Sequence, residues 1–296
     1  MRKQPPVWAP LLRTTIGNMK GVTHDMSNVL MHINTRAESI SMWTAINLIL
    51  PDDRAEGEFP VLWLLHGGGG NENDWVEETG IRRYADKNNI AVVMPWAGHS
   101  RYCNMTWGSD YFTYLTEELP KIVRHICPRI SQKREDNFIA GLSLGGSGAI
   151  SLGMRRPDLY GAIGVLSASS IIPLEYLRAK SAGGPPAPGG PGRKSVNMLN
   201  FGVEDTGDLK GNPEHDVLLN AENIIKEGKP VPKVFHAVGM EDHAYPVGLG
   251  LKEFFEKFDG NPFRYEFHTE HGTHSWEFWD KWLPVFIEAA LKDRGE

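Results

Sequence analysis

The chain has 296 residues, of which 41% are hydrophobic and 23% charged, and its formal net charge is −6 at pH 7. This composition is ordinary for a globular protein and excludes a mostly disordered chain. Because there is no basic excess to neutralise phosphates, we expect no nucleic-acid partner. No stretch approaches the roughly 18 apolar residues of a membrane span, and residues 1–20 lack the apolar core of a signal peptide. We therefore expect a cytoplasmic protein without membrane association.

The two cysteines, Cys103 and Cys127, are too few for a disulfide scaffold and lack the spacing of metal ligands. A single disulfide between them is an open alternative, but we expect two reduced thiols.

Strands and helices are predicted to alternate along the chain after an extended N-terminal arm over 1–25, which contains three prolines. Strands are predicted at 29–34, 43–50, 60–65, 90–94, 137–140, 162–166, 233–238 and 263–268. Helices are predicted at 73–88, 111–126, from a glycine-rich turn at 141–145 to about 156, at 214–227, 247–258 and 275–291.

This alternation predicts an α/β protein with a mostly parallel central sheet and helices on both faces. The short apolar runs, such as 60–65, are typical of strands buried on both faces of such a sheet. The first two strands are joined by a short loop and should form an antiparallel edge. No internal repeat interrupts the pattern, so we expect one domain over 26–296.

One segment departs from this pattern, because nine of the ten residues in 183–192 are glycine or proline. We expect no helix to persist there. The segment belongs to an insertion around 170–212 that we interpret as a flexible surface element. A mobile lid over a functional site is the alternative.

The turn Gly141-Leu-Ser-Leu-Gly145 matches the pattern G-x-S-x-G between a predicted strand and a helix of small residues. A strand that turns this sharply into a helix lifts the Ser143 hydroxyl above the sheet at the helix N-terminus, where developing negative charge is favoured. The alternative is a glycine-rich turn without chemistry. The flanking elements favour a catalytic serine.

A second glycine-rich loop, His66-Gly-Gly-Gly-Gly70, follows the buried strand at 60–65. Loops of this kind donate a backbone N–H to the oxyanion of an acyl-transfer reaction, and the residue after the nucleophile donates another. The predicted donors are Gly68 and Leu144, with Gly69 as a second choice in the loop. A phosphate-binding turn is disfavoured because neither of its signature patterns is present.

An acyl-transfer serine requires a base, and the base requires an orienting carboxylate. The acid should follow a late strand, and Gly239-Met-Glu-Asp-His243 directly follows the strand predicted at 233–238. Asp242 is the predicted acid and Glu241 its rival. Asp205 and Asp208 lie in the insertion and are weaker candidates.

The base should lie in a loop after the last strand, where His268, His271 and His274 are found. His274 is the predicted base because it directly precedes the last helix. His243 is adjacent to the acid and is predicted to line the site.

With these residues assigned, the chain resembles the esterase D-like group of α/β-hydrolases over about residues 25–292. That group includes tributyrin-type carboxylesterases, S-formylglutathione hydrolases, feruloyl and acetyl xylan esterases of carbohydrate esterase family one, and mycolyltransferases. The resemblance implies the same triad, Ser143, Asp242 and His274. The insertion, the fourth glycine of the oxyanion loop and the N-terminal arm depart from the common pattern. The matching motifs stand at 42–51, 61–68, 110–120, 140–146, 239–242 and 272–279.

The resulting expectation is a serine carboxylesterase that acts on short acyl esters and needs no metal or cofactor. Acetyl or feruloyl groups on plant polysaccharide fragments are candidate substrates. Trp96, Trp107 and Trp276 lie in predicted loops near the strand ends and could stack on a sugar or aromatic ring, with packing against the core or a helix as the alternative. An S-formylglutathione hydrolase-like thioesterase and a mycolyltransferase-like acyltransferase remain alternatives, as does a non-catalytic binding protein. Assembly into homo-oligomers is left open.

Overall fold

The computed structural model describes residues 28–51, 57–175, 177, 191–292 and 294. The predicted N-terminal arm lies outside the described residues, as do residues 183–190 of the glycine- and proline-rich segment.

Eight strands form one sheet in the order β1-β2-β4-β3-β5-β6-β7-β8. β1 and β2 pair antiparallel, β2 pairs antiparallel with β4, and all other neighbours are parallel. The mostly parallel sheet and its antiparallel edge are therefore as predicted. The strands are β1 Val29–Ala37, β2 Met42–Leu50, β3 Val61–Leu65, β4 Ala91–Pro95, β5 Asn137–Leu142, β6 Ala162–Leu166, β7 Lys233–Gly239 and β8 Glu266–Glu270.

Burial explains the two kinds of strand sequence. Every residue of β3 to β7 is buried, which accounts for their continuous apolar runs. By contrast β1, at the edge, alternates between exposed and half-buried positions. Because β3 to β7 expose no side chain to solvent, we expect the groups that meet a substrate to lie in the loops at the carboxyl ends of these strands.

Nine helices are described, and α3 continues through a π-helical turn, Tyr114–Glu118, into α4. Within the described ranges no helix is both long enough and apolar enough to cross a membrane. The helices are α1 Asp74–Glu78, α2 Ile81–Asn88, α3 Tyr111–Thr113, α4 Leu119–Ile126, α5 Leu144–Arg155, α6 Pro191–Phe201, α7 Val217–Lys226, α8 Tyr245–Phe255 and α9 Trp276–Lys292.

The helices cover the sheet on both faces, and each face has its own apolar core. One core contains side chains of α1, α2 and α9, including Trp75, Leu283 and Phe286. The other contains side chains of α4, α5, α7 and α8, including Ile150 and Val217. This three-layer arrangement leaves the carboxyl ends of the parallel strands as the place where loops from different strands meet.

Two elements differ from the sequence prediction. The helix predicted over 73–88 is broken at Thr79-Gly80, because the Gly80 N–H donates to Asp280 Oδ1 (2.8 Å) instead of continuing the helix. The last strand occupies Glu266–Glu270 and not 263–268. Phe263 belongs instead to the core, with its ring 5.0 Å from that of Phe255.

The insertion is more regular than predicted, because α6 begins at Pro191 and so includes the last two residues of the 183–192 segment. Arg101 attaches this region to the body of the protein. Its guanidinium forms a buried ion pair with Glu175 and donates to Asn197 Oδ1 of α6 (3.3 Å). Thr206 donates to the other carboxylate oxygen of Glu175 (3.0 Å).

Both cysteines are buried free thiols, as expected, and the disulfide alternative is wrong. Burial raises the pKa of Cys103 to about 12, so this thiol stays protonated at neutral pH.

Candidate active site

Ser143 stands at the turn between β5 and α5 in a backbone conformation that non-glycine residues seldom adopt, with φ 52° and ψ −116°. Its N–H donates to the Leu166 carbonyl of the neighbouring strand (2.8 Å), which fixes the turn against the sheet. This is the strained elbow that the G-x-S-x-G pattern predicts.

Glycine at position 145 is a steric requirement of the elbow. A Cβ atom there would lie 2.4 Å from the carbonyl oxygen of His66 and 2.6 Å from that of Leu65. The first turn of α5 therefore packs directly on the backbone that begins the oxyanion loop. No side chain fits between the two segments.

Ser143, His274 and Asp242 form one hydrogen-bonded chain. Ser143 Oγ lies 2.9 Å from His274 Nε2, and His274 Nδ1 lies 2.9 Å from each carboxylate oxygen of Asp242. The three side chains come from the carboxyl-end loops of β5, β8 and β7, respectively. The fold thus brings together the three residues selected from the sequence, although they are far apart in the chain.

The side chain of Asp242 is completely buried, whereas that of His274 is 22% exposed. Burial alone raises the pKa of the Asp242 carboxyl. Hydrogen bonds from His274 and from the Ala244 N–H (2.7 Å) oppose this effect and hold the pKa below its ordinary value. Asp242 is therefore an ionised acceptor that keeps the proton of neutral His274 on Nδ1 and leaves Nε2 free to accept.

The rival candidates lie elsewhere. Glu241 accepts hydrogen bonds from His271 Nδ1 and the Gly272 N–H, both 2.7 Å, and these bonds lower the pKa of Glu241. His268 contacts Glu266 (3.2 Å). The insertion candidates Asp205 and Asp208 are exposed, and Asp205 caps a short 3-10 turn at Thr206–Leu209.

The predicted oxyanion donors are neighbours in space. Gly68 lies in the loop after β3, and Leu144 is the first residue of α5, where backbone N–H groups have no partner within the helix. A Cβ atom at Gly68 would lie 3.7 Å from Leu144 Cδ2, which is ordinary contact. Gly69 has φ +80°, a conformation that favours glycine.

His66 braces this loop, a role that the sequence reasoning did not assign. Its Nε2 accepts the Ala97 N–H (3.0 Å), so Nδ1 carries the proton and donates to the Gly67 carbonyl (2.7 Å). Burial lowers the pKa of His66, against the opposing effect of the Gly67 bond, and the ring stays neutral. The one signal available in the sequence was a histidine directly before the glycines.

A cleft of about 360 Å³ opens over Ser143 and His274. The glycines of the oxyanion loop form one side, and Trp276 and Trp279 form another. Trp279 packs edge-on against the His274 ring, with 4.9 Å between centroids. Asp74, Glu77 and Glu78 of α1 also line the cleft and give it a negative rim.

The other predicted substrate-binding residues lie outside the described lining of the cleft. Trp96 packs edge-on against Tyr111 (6.4 Å between centroids) at the border of the core. Trp107 is 68% exposed, and its backbone N–H donates to the Leu199 carbonyl of α6. His243 lies beside Asp242 and His274, with its Nδ1 3.6 Å from Asp242 Oδ1.

Comparison with known proteins defines the class. A strained serine between a strand and a helix, on a mostly parallel sheet, is the site of an α/β-hydrolase. Solved structures agree. The chain is 27% identical to "FphF, Staphylococcus aureus fluorophosphonate-binding serine hydrolases F, substrate bound", with a TM-score of 0.75, and the match covers 90% of this chain and 99% of that one. The S. aureus S-formylglutathione hydrolase FrmB is 26% identical with TM-score 0.74, covering 89% and 99%.

The family follows from the sequence comparisons. The model of the esterase family, described as "Putative esterase", matches residues 37–289. An acetyl esterase of Caldicellulosiruptor saccharolyticus is 30% identical over 279 residues, covering 89% of this chain and 98% of that protein. The chain belongs to this esterase family and is a carboxylic ester hydrolase of the esterase D-like group. The resemblance, fold class and enzyme class expected from the sequence are thereby confirmed.

Proposed function

We propose that the protein is a serine carboxylesterase that hydrolyses short-chain acyl esters through Ser143, His274 and Asp242. The observation that carries this proposal is the continuous chain of 2.9 Å contacts from Ser143 Oγ through His274 to Asp242. Nucleophile, base and orienting acid stand within hydrogen-bond distance in the required order.

In the first step Ser143 Oγ attacks the ester carbonyl while His274 Nε2 takes the hydroxyl proton. Asp242 accepts the bond from His274 Nδ1–H and stabilises the imidazolium that forms. His274 then returns its proton to the leaving alcohol, and the acyl group remains on Ser143. A water molecule activated by the same histidine releases the acid and restores the enzyme.

The negative oxygen of the tetrahedral intermediate is assigned to the backbone N–H groups of Gly68 and Leu144. Each such donor contributes about 3–4 kcal/mol of transition-state stabilisation in serine hydrolases. Contact between Gly145 and the His66 carbonyl supports a preformed pair of donors, because it keeps the two segments in register before substrate arrives.

We propose acetyl esters as the preferred substrates. Two observations support this choice: the 30% identity to an acetyl esterase over nearly the full length of both chains, and a cleft of about 360 Å³. Trp276 is half-buried at the cleft and offers an aromatic surface to a sugar or phenolic group. Acetyl or feruloyl esters of plant polysaccharides therefore remain within the proposal.

An S-formylglutathione hydrolase is the second candidate, favoured by the 26% identity to the S. aureus enzyme of that name. Glutathione carries a net negative charge at neutral pH. The rim of Asp74, Glu77 and Glu78 repels such a leaving group. The charge of the cleft thus favours neutral esters over this thioester.

The test is hydrolysis of p-nitrophenyl acetate, methyl ferulate, acetylated xylo-oligosaccharides and S-formylglutathione by the wild type and by Ser143→Ala. We expect acetyl esters to give the highest kcat/KM and the variant to lose at least about 10³-fold in kcat. A fluorophosphonate probe should add one adduct at Ser143 in the wild type and none in Ser143→Ala. Unchanged hydrolysis by the variant would refute the proposed nucleophile.

A further inference from the structure

A second histidine lies against the acid and base of the site. His243 Nδ1 is 3.6 Å from Asp242 Oδ1, and the rings of His243 and His274 are 4.2 Å apart at an angle of 43°. The His243 side chain is 42% exposed, whereas that of Asp242 is completely buried. Two imidazoles therefore converge on one carboxylate, and one of them faces solvent.

The donor atoms of these three residues suit a metal ion. One ligand atom from each of Asp242, His243 and His274 lies within 4.8 Å of the others, and no other group of three is found in the described part of the chain. A tetrahedral Zn²⁺ with bonds of about 2.0–2.1 Å holds its ligand atoms roughly 3.3 Å apart. Two nitrogens and one carboxylate oxygen are a donor set that Zn²⁺ prefers.

The required movement is small. The Asp242 and His274 atoms already stand 2.9 Å apart, and the Ala244 N–H fixes the carboxylate through Oδ1 (2.7 Å). To close the site, the half-exposed ring of His243 turns inward from 3.6 Å, and the Asp242 and His274 atoms separate slightly toward the roughly 3.3 Å of a tetrahedral ion. Solvent can supply the fourth ligand.

We propose that Asp242, His243 and His274 bind one Zn²⁺ ion that reversibly inhibits the esterase. The inference rests on the proposed catalytic roles of Asp242 and His274. It adds a metal site and gives His243 a function as the ligand that makes the site possible.

The inhibition follows from where the imidazole proton goes. In the active tautomer, His274 carries its proton on Nδ1 and points the Nε2 lone pair at Ser143. Zn²⁺ takes the Nδ1 lone pair, so the single proton of the neutral ring moves to Nε2, and no proton is gained or lost by the ring. An Nε2–H group cannot accept the Ser143 proton, and the nucleophile is no longer activated.

The experiment measures Zn²⁺ binding and inhibition on the full-length protein, with His243→Gln as the variant and His271→Gln as the matched control. His271 is a surface histidine three residues before His274 in the chain, 88% exposed and bonded to Glu241, and it contributes no ligand to the proposed site. Binding is measured by competition with a chromophoric chelator. Activity toward p-nitrophenyl acetate is expressed relative to the metal-free value of each protein.

We expect the wild type and His271→Gln to bind one Zn²⁺ each, to lose activity in proportion to occupancy, and to recover it with EDTA. His243→Gln should bind Zn²⁺ at least about tenfold more weakly and require correspondingly more for inhibition. Equal inhibition of wild type and His243→Gln, relief by His271→Gln instead, or the absence of one-to-one binding would each overturn the inference.

Ser143→Ala separates this inference from the proposed function. We expect that variant to bind Zn²⁺ as tightly as the wild type while lacking hydrolysis. If it binds Zn²⁺ but still hydrolyses esters, the proposed nucleophile is wrong and the metal site stands. If it lacks hydrolysis and the wild type does not bind Zn²⁺, the metal site is wrong and the esterase mechanism stands.

Discussion

The two halves of the site differ in what places their functional groups. On the side of the nucleophile, the backbone of α5 touches the backbone of the oxyanion loop at Gly145 and His66, and the supporting groups are buried. On the side of the acid and base the loops also touch through their backbones, because a Cβ atom at Gly239 would lie 2.1 Å from the Gly272 carbonyl oxygen. There, however, side-chain hydrogen bonds place Asp242 and His274, and three histidines are reached by solvent.

This difference indicates what each side tolerates. Backbone packing leaves no room for an added atom, so a change near Gly145 should act on stability. The Asp242 and His274 side chains are placed by hydrogen bonds that require correct donors and acceptors, so a change of the Asp242 side chain should act on chemistry. The substitutions below test this division.

The largest effect is expected for Asp242→Asn. The amide cannot hold the Nδ1–H tautomer of His274, so kcat on p-nitrophenyl acetate should fall by about 10³–10⁴-fold with little change in the free energy of unfolding. Glu241→Gln is the matched control because Glu241 is the adjacent acid and is bonded to His271. Its kcat should stay within about twofold of wild type, and a comparable loss in both variants would contradict the assignment.

Gly145→Ala tests the backbone side. The added methyl would meet the His66 and Leu65 carbonyl oxygens at 2.4 and 2.6 Å, so we expect about 3 kcal/mol or more of destabilisation. In calorimetry this corresponds to a decrease in Tm of roughly 6–12 °C. Gly68→Ala serves as control, since its methyl would find the nearest atom at 3.7 Å. Equal Tm values for both variants would show that the backbone contact is not limiting.

The acid sensitivity of the fold should depend on His236, a buried residue of β7. Burial lowers its pKa to about 3, and its Nδ1 pairs with the Tyr265 hydroxyl (2.8 Å). The unfolded chain protonates this residue below about pH 6.5, so stability is lost as pH falls from about 6.5 toward 3, at up to about 1.4 kcal/mol per pH unit.

His236→Phe should flatten this part of the stability curve measured by urea unfolding between pH 7 and 4. His125→Gln, which removes an exposed histidine, should leave the slope unchanged. Superimposable slopes for the wild type and His236→Phe would rule out this residue as the source.

The smallest effect is expected at the rim of the cleft. Glu77→Gln combined with Glu78→Gln should raise kcat/KM for an anionic ester, relative to a neutral one, by about two- to fivefold at low salt. The double variant Glu253→Gln and Glu256→Gln removes the same charge from the last turn of α8 and the residue after it, outside the lining of the cleft. A similar gain in that control would attribute the effect to net charge and not to the rim.

The triad geometry agrees with the residues selected from the sequence because Ser143 and Asp242 lie just after strands of strong apolar character and His274 lies just before the last helix. The strands at 137–140 and 233–238 are recognisable from local composition, and the loops that follow them must meet at one edge of a parallel sheet. The glycines on either side of Ser143 are visible in the sequence, and they indicate a tight turn in which no side chain fits beside the serine.

The parts that could not be predicted depend on distant contacts. The helix breaks at Gly80 because its N–H donates to the carboxylate of Asp280 in α9. Asp280 is distant in the chain, so no local sequence pattern predicts the break. The position of β8 is set by pairing of Phe235 with Glu266, whereas the apolar residues before it pack on α8. The role of His66 required knowledge that Ala97 lies within 3.0 Å of its ring.

The contact between Gly145 and the His66 carbonyl has a consequence for how new specificities can be engineered or evolve in this protein. Because position 145 admits no side chain, we expect libraries that randomise this position to consist mostly of destabilised variants. Diversity is better introduced at the rim of α1 and in the α6 region. The rim residues Asp74, Glu77 and Glu78 line the cleft without entering the contact at Gly145.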